Sequence, residues 1–186
     1  MSDELLIILI GIAIALGVLI VVGLGAFFVW RNRHSKQLQE KFGPEYEYAL
    51  DQTGDRRIAE AELEEREKRV RDLTFRDLEP DERVYFSEAW ENTQSQFVDK
   101  PTVAVEKANQ LVKEVMNARG FPSADFERRA ADISVVFPDV VPNYRHAHEI
   151  AIKNQRNEAT TEELRQAMIY YRSLFAELLE IEKSKI

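Results

Sequence analysis

The chain has no cysteine, which excludes disulfides, thiolate catalysis and zinc sites built on Cys, and leaves the redox compartment open. Glycine is scarce, with seven in 186 residues. Gly11, Gly17, Gly23 and Gly25 fall in one apolar run, while Gly43, Gly54 and Gly120 stand singly beyond it. None of those three is near enough to another to form a glycine-rich phosphate cradle. Basic residues are missing before Arg31, and over the whole chain 25 Lys and Arg face 33 Asp and Glu, a net charge of −8. That balance argues against a protein that holds nucleic acid by neutralising phosphates. The length leaves room for one membrane element and one modest folded domain, and excludes a multi-domain enzyme.

What the N-terminus does contain is a run of 26 uncharged residues, Leu5 to Trp30. About 20 helical residues cross the roughly 30 Å hydrocarbon layer, so residues 1–30 are expected to form a transmembrane anchor in contact with lipid over 5–30. The surplus is taken up by tilt, or by Phe27, Phe28 and Trp30 lying in the interface. A cleaved signal peptide needs a basic start and a shorter apolar stretch, whereas this run follows Asp3 and Glu4. Arg31, Arg33 and Lys36 come directly after it. Positive charge resists translocation, so the expected topology is single-pass in the cell inner membrane, N-terminus outside and C-terminal part cytoplasmic. Gly11 with Ala15 and Ala13 with Gly17 are small-xxx-small pairs, candidate packing positions for self-association.

Residues 31–73 read as a juxtamembrane segment and charged stalk. A polar connection over 31–43 leads to a helix opening at Pro44. Thr53-Gly54-Asp55 then offers a break, with Gly54 as C-terminal cap and Asp55 as the next N-cap, although a continuous helix stays open. Between Asp55 and Asp72, 13 of 18 residues are charged, and Glu62/Arg66, Glu64/Lys68, Glu65/Arg69 and Glu67/Arg71 are acid-before-base pairs four apart. Each supports a helix by about 0.2 to 0.5 kcal/mol. Three readings stay open: a spacer of roughly 27 Å, a solvated helix lying on the domain, or a coiled coil whose 4-3 seam of Ala59, Leu63, Val70 and Leu73 is interrupted by Arg66.

Residues 74–186 show amphipathic helical periodicity and no strand-like alternation, so an all-α bundle of about five helices is expected. The first opens at Pro80 and buries Phe86, Ala89, Trp90, Thr93 and Phe97. The second runs from Pro101 to before Gly120, with Ala104, Val105, Ala108, Leu111, Val112, Val115 and Met116 inward. A shorter one over 124–134 has Ser123 as N-cap and buries Phe126, Ala130 and Ile133. Pro138 and Pro142 frame a fourth, with Tyr144, Ala147, His148 and Ala151 on its inner side. The last starts at the capping box Thr160-Thr161-Glu162-Glu163, and its wide apolar arc suits a central helix.

Chemistry-bearing groups are few. His146 and His148 point about 200° apart on a helix and cannot share one metal. His148 reads as a core histidine, with proton sensing as the alternative. His146 with Glu149 reads as a solvated pair. No two carboxylates are isolated in an apolar setting, so no catalytic, cofactor-binding or metal residue is assigned and the chain is not expected to be an enzyme. Two features invite a docking role. Asp125 to Asp132 packs five charges around a small apolar stripe, and Tyr170 with Arg172 places an aromatic and a cation together, the residue types of interaction hot spots.

Phe42-Gly43-Pro44-Glu45-Tyr46, Gly54-Asp55-Arg56-Arg57, Phe126 through Asp132, Tyr144-Arg145 with Ala147-His148, and Leu164 through Met168 together resemble a family of uncharacterised bacterial proteins with one N-terminal membrane helix and a helical cytoplasmic part. The similarity spans roughly residues 37 to 180. It implies bacterial origin and that architecture, and assigns no site. The expected function is a membrane-anchored adaptor or scaffold for a protein partner, able to self-associate and with no nucleic-acid role. The alternatives are a small enzyme or ligand-binding bundle with a pocket among Trp90, Tyr144, His148 and Tyr171, and an oligomeric structural membrane protein.

Overall fold

The computed structural model describes the backbone of residues 3–122 and 125–180, and the side chains of 16, 17, 19–122 and 125–180. Among the described residues the chain is all-α, with eight helices and no strand: α1 Asp3–Phe42, α2 Pro44–Thr53, α3 Arg56–Arg71, α4 Pro80–Gln96, α5 Pro101–Ala118, α6 Phe126–Val136, α7 Val141–Gln155 and α8 Thr161–Glu180. It divides into two compact units, residues 1–40 and 41–186.

The first unit is the body of α1. The helix continues through residues 31–42, where a polar connection is expected, because nothing from Arg31 to Phe42 is Gly or Pro. Among the described residues no helix is long and apolar enough to cross a membrane. The described apolar part, Leu16–Trp30, rises about 22 Å at 1.5 Å per residue, short of the roughly 30 Å of hydrocarbon. Gly11, Ala13 and Ala15 lie outside the described side chains. Gly17 is exposed, with open space where a Cβ would stand.

In the second unit the charged segment 55–72 is a helix of the domain, antiparallel to α2 and packed on α6. Ala59, Leu63 and Val70 are buried there, and so is Arg66, the residue that interrupts the coiled-coil seam. Its burial is the physical reason the segment does not stand free as a spacer: its guanidinium is held by Glu45 on α2. The break before α3 follows turn chemistry. Gly54 adopts φ 65°, and the Asp55 carboxylate accepts hydrogen bonds from the backbone N–H groups of Arg57 (2.7 Å) and Ile58 (3.2 Å).

The larger core lies among α4, α5, α7 and α8. Trp90 stacks on Phe175 with ring centroids 4.7 Å apart. Arg83 donates to the carbonyl of Leu179, while Phe97 lies beside Met168, so α4 runs antiparallel to α8. The Thr160/Glu163 capping box forms: the Glu163 carboxylate accepts from the Thr160 N–H at 2.8 Å, and the Thr160 hydroxyl accepts from the Glu163 N–H at 3.2 Å. At α6 the N-cap is Asp125, which accepts from the Arg128 N–H; Ser123 lies outside the described residues. Five helices, α4 to α8, fall within residues 74–186 as expected, and α2 and α3 join them in the same unit.

A non-helical strap over 74–79 passes the C-terminal end of α5. Phe75 packs on Phe121, and the Arg76 N–H donates to the Arg119 carbonyl. Gly120, at φ 97°, lets this strap approach, because a Cβ there would stand 2.4 Å from the Thr74 carbonyl oxygen. The Arg119 guanidinium is 1% exposed and donates to the carbonyls of Leu178 (2.8 Å) and Leu179 (3.1 Å) near the end of α8. It thereby satisfies carbonyls that a helix end leaves open.

Candidate functional site

Where α2, α3, α6 and α7 meet, a buried carboxylate gathers two guanidiniums. Glu45 sits in the first turn of α2, set there by Pro44, and is 1% exposed. Its Oε1 accepts from Arg66 and from Arg145, each at 2.8 Å. Arg66 also pairs with Glu62 at 2.5 Å, and Arg145 with Glu127 at 2.7 Å. The Arg145 guanidinium lies 3.9 Å over the ring of Tyr48, a cation–π contact. Beside this network Arg69 pairs with the buried Asp132 at 2.7 Å. Charges this deep persist only when paired, and each of these is, although Glu45 Oε2, Arg66 Nε, Arg145 Nε and Asp132 Oδ2 have no hydrogen-bond partner among the described residues.

No residue of this network is among the candidate site residues read from the sequence. The signals present in the sequence were Arg66 at a seam position and the charge-dense stretch from Asp125 to Asp132. Neither reveals its partners, because Glu45 and Arg145 are 100 residues apart. Of the four acid-before-base pairs on α3, Glu62/Arg66 and Glu67/Arg71 form, the latter at 3.0 Å, while Arg69 turns to Asp132.

A second polar locus lies where α5, α6 and α7 converge. His148 is half-buried and stacks on Phe126, with ring centroids 3.5 Å apart at 11°. Among the described residues its buried Nδ1 has no hydrogen-bond partner. Burial, then the Lys113 ammonium and the Arg129 guanidinium, hold its pKa below the usual histidine value. Arg129 donates to the Tyr144 hydroxyl at 3.5 Å. Tyr144 meets Tyr171 edge-on at 6.4 Å, and the Tyr171 hydroxyl is buried without a partner among the described residues. Desolvation raises both phenol pKa values. Tyr144, His148 and Tyr171 are thus neighbours in the core, whereas Trp90 is spent on its stack with Phe175.

Tyr170 and Arg172 border separate grooves. Tyr170 faces a groove of about 390 Å³ between α7 and α8, with His146, Glu149, Glu162 and Glu163. Lys153 and the Thr160 backbone hold the Glu163 carboxyl down at about 2. His146 and Glu149 approach to 3.6 Å on the solvated rim of this groove. Arg172 instead borders a smaller groove of about 150 Å³ between α4 and α8, with Phe97, Met168, Ile169 and Arg165. Two residues apart on a helix, the pair diverges. Among the described residues no group of three or more His, Asp or Glu side chains is arranged to hold a metal ion. Comparison with family models, curated proteins and solved structures finds no match for this chain.

Proposed function

We propose that the protein is a membrane-anchored helical binding module: residues 5–30 lie in the inner membrane, and residues 41–186 form a cytoplasmic unit that docks a protein partner without chemistry of its own. One observation carries the membrane part. Along α1, Leu19, Ile20, Val21 and Val22 are 60 to 69% exposed, as are Phe28 (69%) and Trp30 (65%). Four consecutive helical positions point in four directions, so the apolar surface surrounds the helix instead of forming one docking face. A helix apolar on every side suits a hydrocarbon solvent, and in water each buried-equivalent Å² would cost about 25 cal/mol. The eleven uncharged residues from Leu5 to Ala15 extend the run to a full span in sequence.

The docking part is supported by the division of charge. Polar groups inside the unit are largely bonded to one another, while Tyr170 and Arg172 face separate open grooves. Tethering raises the local concentration of whatever such a surface binds. The resemblance to bacterial single-pass proteins belongs to the same reading. Proximity labelling from the C-terminus in the native cell tests it. One reproducibly enriched protein neighbour, lost on deletion of residues 5–30, is expected; labelling with no enriched neighbour contradicts it.

A further inference from the structure

We propose that the groove between α4 and α8 docks an acidic amphipathic helix of a partner protein, with Arg165 and Arg172 receiving its carboxylates and Phe97, Met168 and Ile169 its apolar face. This inference rests on the reading of the unit as a docking module and names the chemistry of the partner. Arg165, Met168, Ile169 and Arg172 are spaced i, i+3, i+4 and i+7 on α8, so they form one stripe along the helix. Seven residues bring the two arginines within about 20° of each other around the axis and set them about 10.5 Å apart along it. The stripe therefore reads cation, apolar, apolar, cation. Phe97 at the end of α4 forms the facing wall with Gln94, and the adjoining Val98 is 84% exposed.

The chain carries a net charge of −8, yet among the described residues no Asp or Glu lines this groove. Arg172 is exposed and has neither an ion pair nor a hydrogen bond among the described residues. Arg165 pairs with Glu162 at 2.5 Å, but the two side chains are 52% and 70% exposed. A pair that open is weak enough to exchange for another carboxylate. Charge thus fixes the sign of the occupant, because each guanidinium offers a carboxylate two parallel N–H donors. Volume fixes its kind. At about 150 Å³ and open to solvent, the groove is smaller than the roughly 300 Å³ or more of small-molecule sites, and it suits an apolar side chain presented by a peptide. A helix matches the stripe, because acids seven residues apart reach both arginines while two apolar residues between them meet Phe97, Met168 and Ile169.

The probe is a synthetic helical peptide with Glu at its first and eighth positions and Leu at its fourth and fifth, titrated into the full chain in phosphatidylcholine nanodiscs. Binding is read from the methyl NMR signals of Met168 and Ile169. Saturable shifts of these signals are expected, with the affinity lowered about tenfold or more by Arg172→Glu and unchanged by Lys68→Glu, an exposed control on α3. A peptide with Lys in place of both Glu is expected not to bind the native chain, and to bind the chain carrying Arg165→Glu with Arg172→Glu, a rescue that misfolding cannot imitate. The proposal is overturned by the absence of a saturable shift or by equal binding of the acidic and basic peptides. Methyl signals that move with the protein's own concentration would assign the groove to a second copy and overturn it as well. If proximity labelling enriches a neighbour that Arg172→Glu leaves unchanged, this inference fails and the docking reading stands; labelling with no enriched neighbour contradicts that reading itself.

Discussion

Removing the charge of Glu45 leaves two guanidiniums, Arg66 and Arg145, 6% and 8% exposed, without their shared acceptor. Breaking a buried pair from one side is costly because the remaining charge stays desolvated. Glu45→Gln is therefore expected to destabilise the folded unit by about 3 kcal/mol, read as a lower denaturant midpoint of the detergent-solubilised chain. A loss below about 1 kcal/mol would place the network among weakly contributing surface pairs. His148 sets a different dependence. Its folded pKa is depressed, by burial first and by Lys113 and Arg129 next. The neutral form is thus favoured on folding, and the unfolded state binds more protons at mildly acidic pH. The corresponding stability is complete above the unfolded value of about 6.5 and is lost as pH falls through the depressed folded value. In His148→Phe the pH-dependent part of the unfolding midpoint between about pH 7 and 5 should diminish; an unchanged slope would remove His148 as its source.

Helix ends and the strap separate what local sequence dictates from what it does not. Gly54 and Gly120 both have positive φ, but only Gly120 faces backbone, the Thr74 carbonyl oxygen. Gly54→Ala is expected to cost about 1 kcal/mol from φ alone, and Gly120→Ala about 3 kcal/mol because strain and a backbone clash combine. Thermal unfolding of both variants checks the order, which equal shifts would contradict. The ends of α2 and α3 were legible because Gly54 and Asp55 act within three residues of themselves. The start of α8 was legible for the same reason, through Thr160 and Glu163. The role of Gly120 was not, since Thr74 lies 46 positions away in sequence. Nor was the docking of α3, because a buried Arg66 and a solvated one look identical until Glu45 is seen against it. The amphipathic faces of α5 and α8 were read closely, since a 3.6-residue period records burial directly. Glu45, Arg66 and Arg145 escaped detection because three separate helices contribute them.

For the whole molecule, the chain divides at Glu40 into two units. Residues 41–186 bury apolar side chains and pair their inner charges, as a domain in water does. Leu16 and the residues from Leu19 to Trp30 are exposed around the helix. The central claim is that lipid is the solvent for the second set and that Arg31, Arg33 and Lys36 keep the helical unit on the cytoplasmic side. The absence of native cysteine permits a direct measurement of it, single-cysteine labelling with a membrane-impermeant maleimide in spheroplasts. Ser2→Cys is expected to react in intact spheroplasts, and Ser95→Cys, on the exposed side of α4, only after the membrane is opened. Labelling of Ser95→Cys in intact spheroplasts, or recovery of the chain in the soluble fraction after an alkaline wash, would contradict the account.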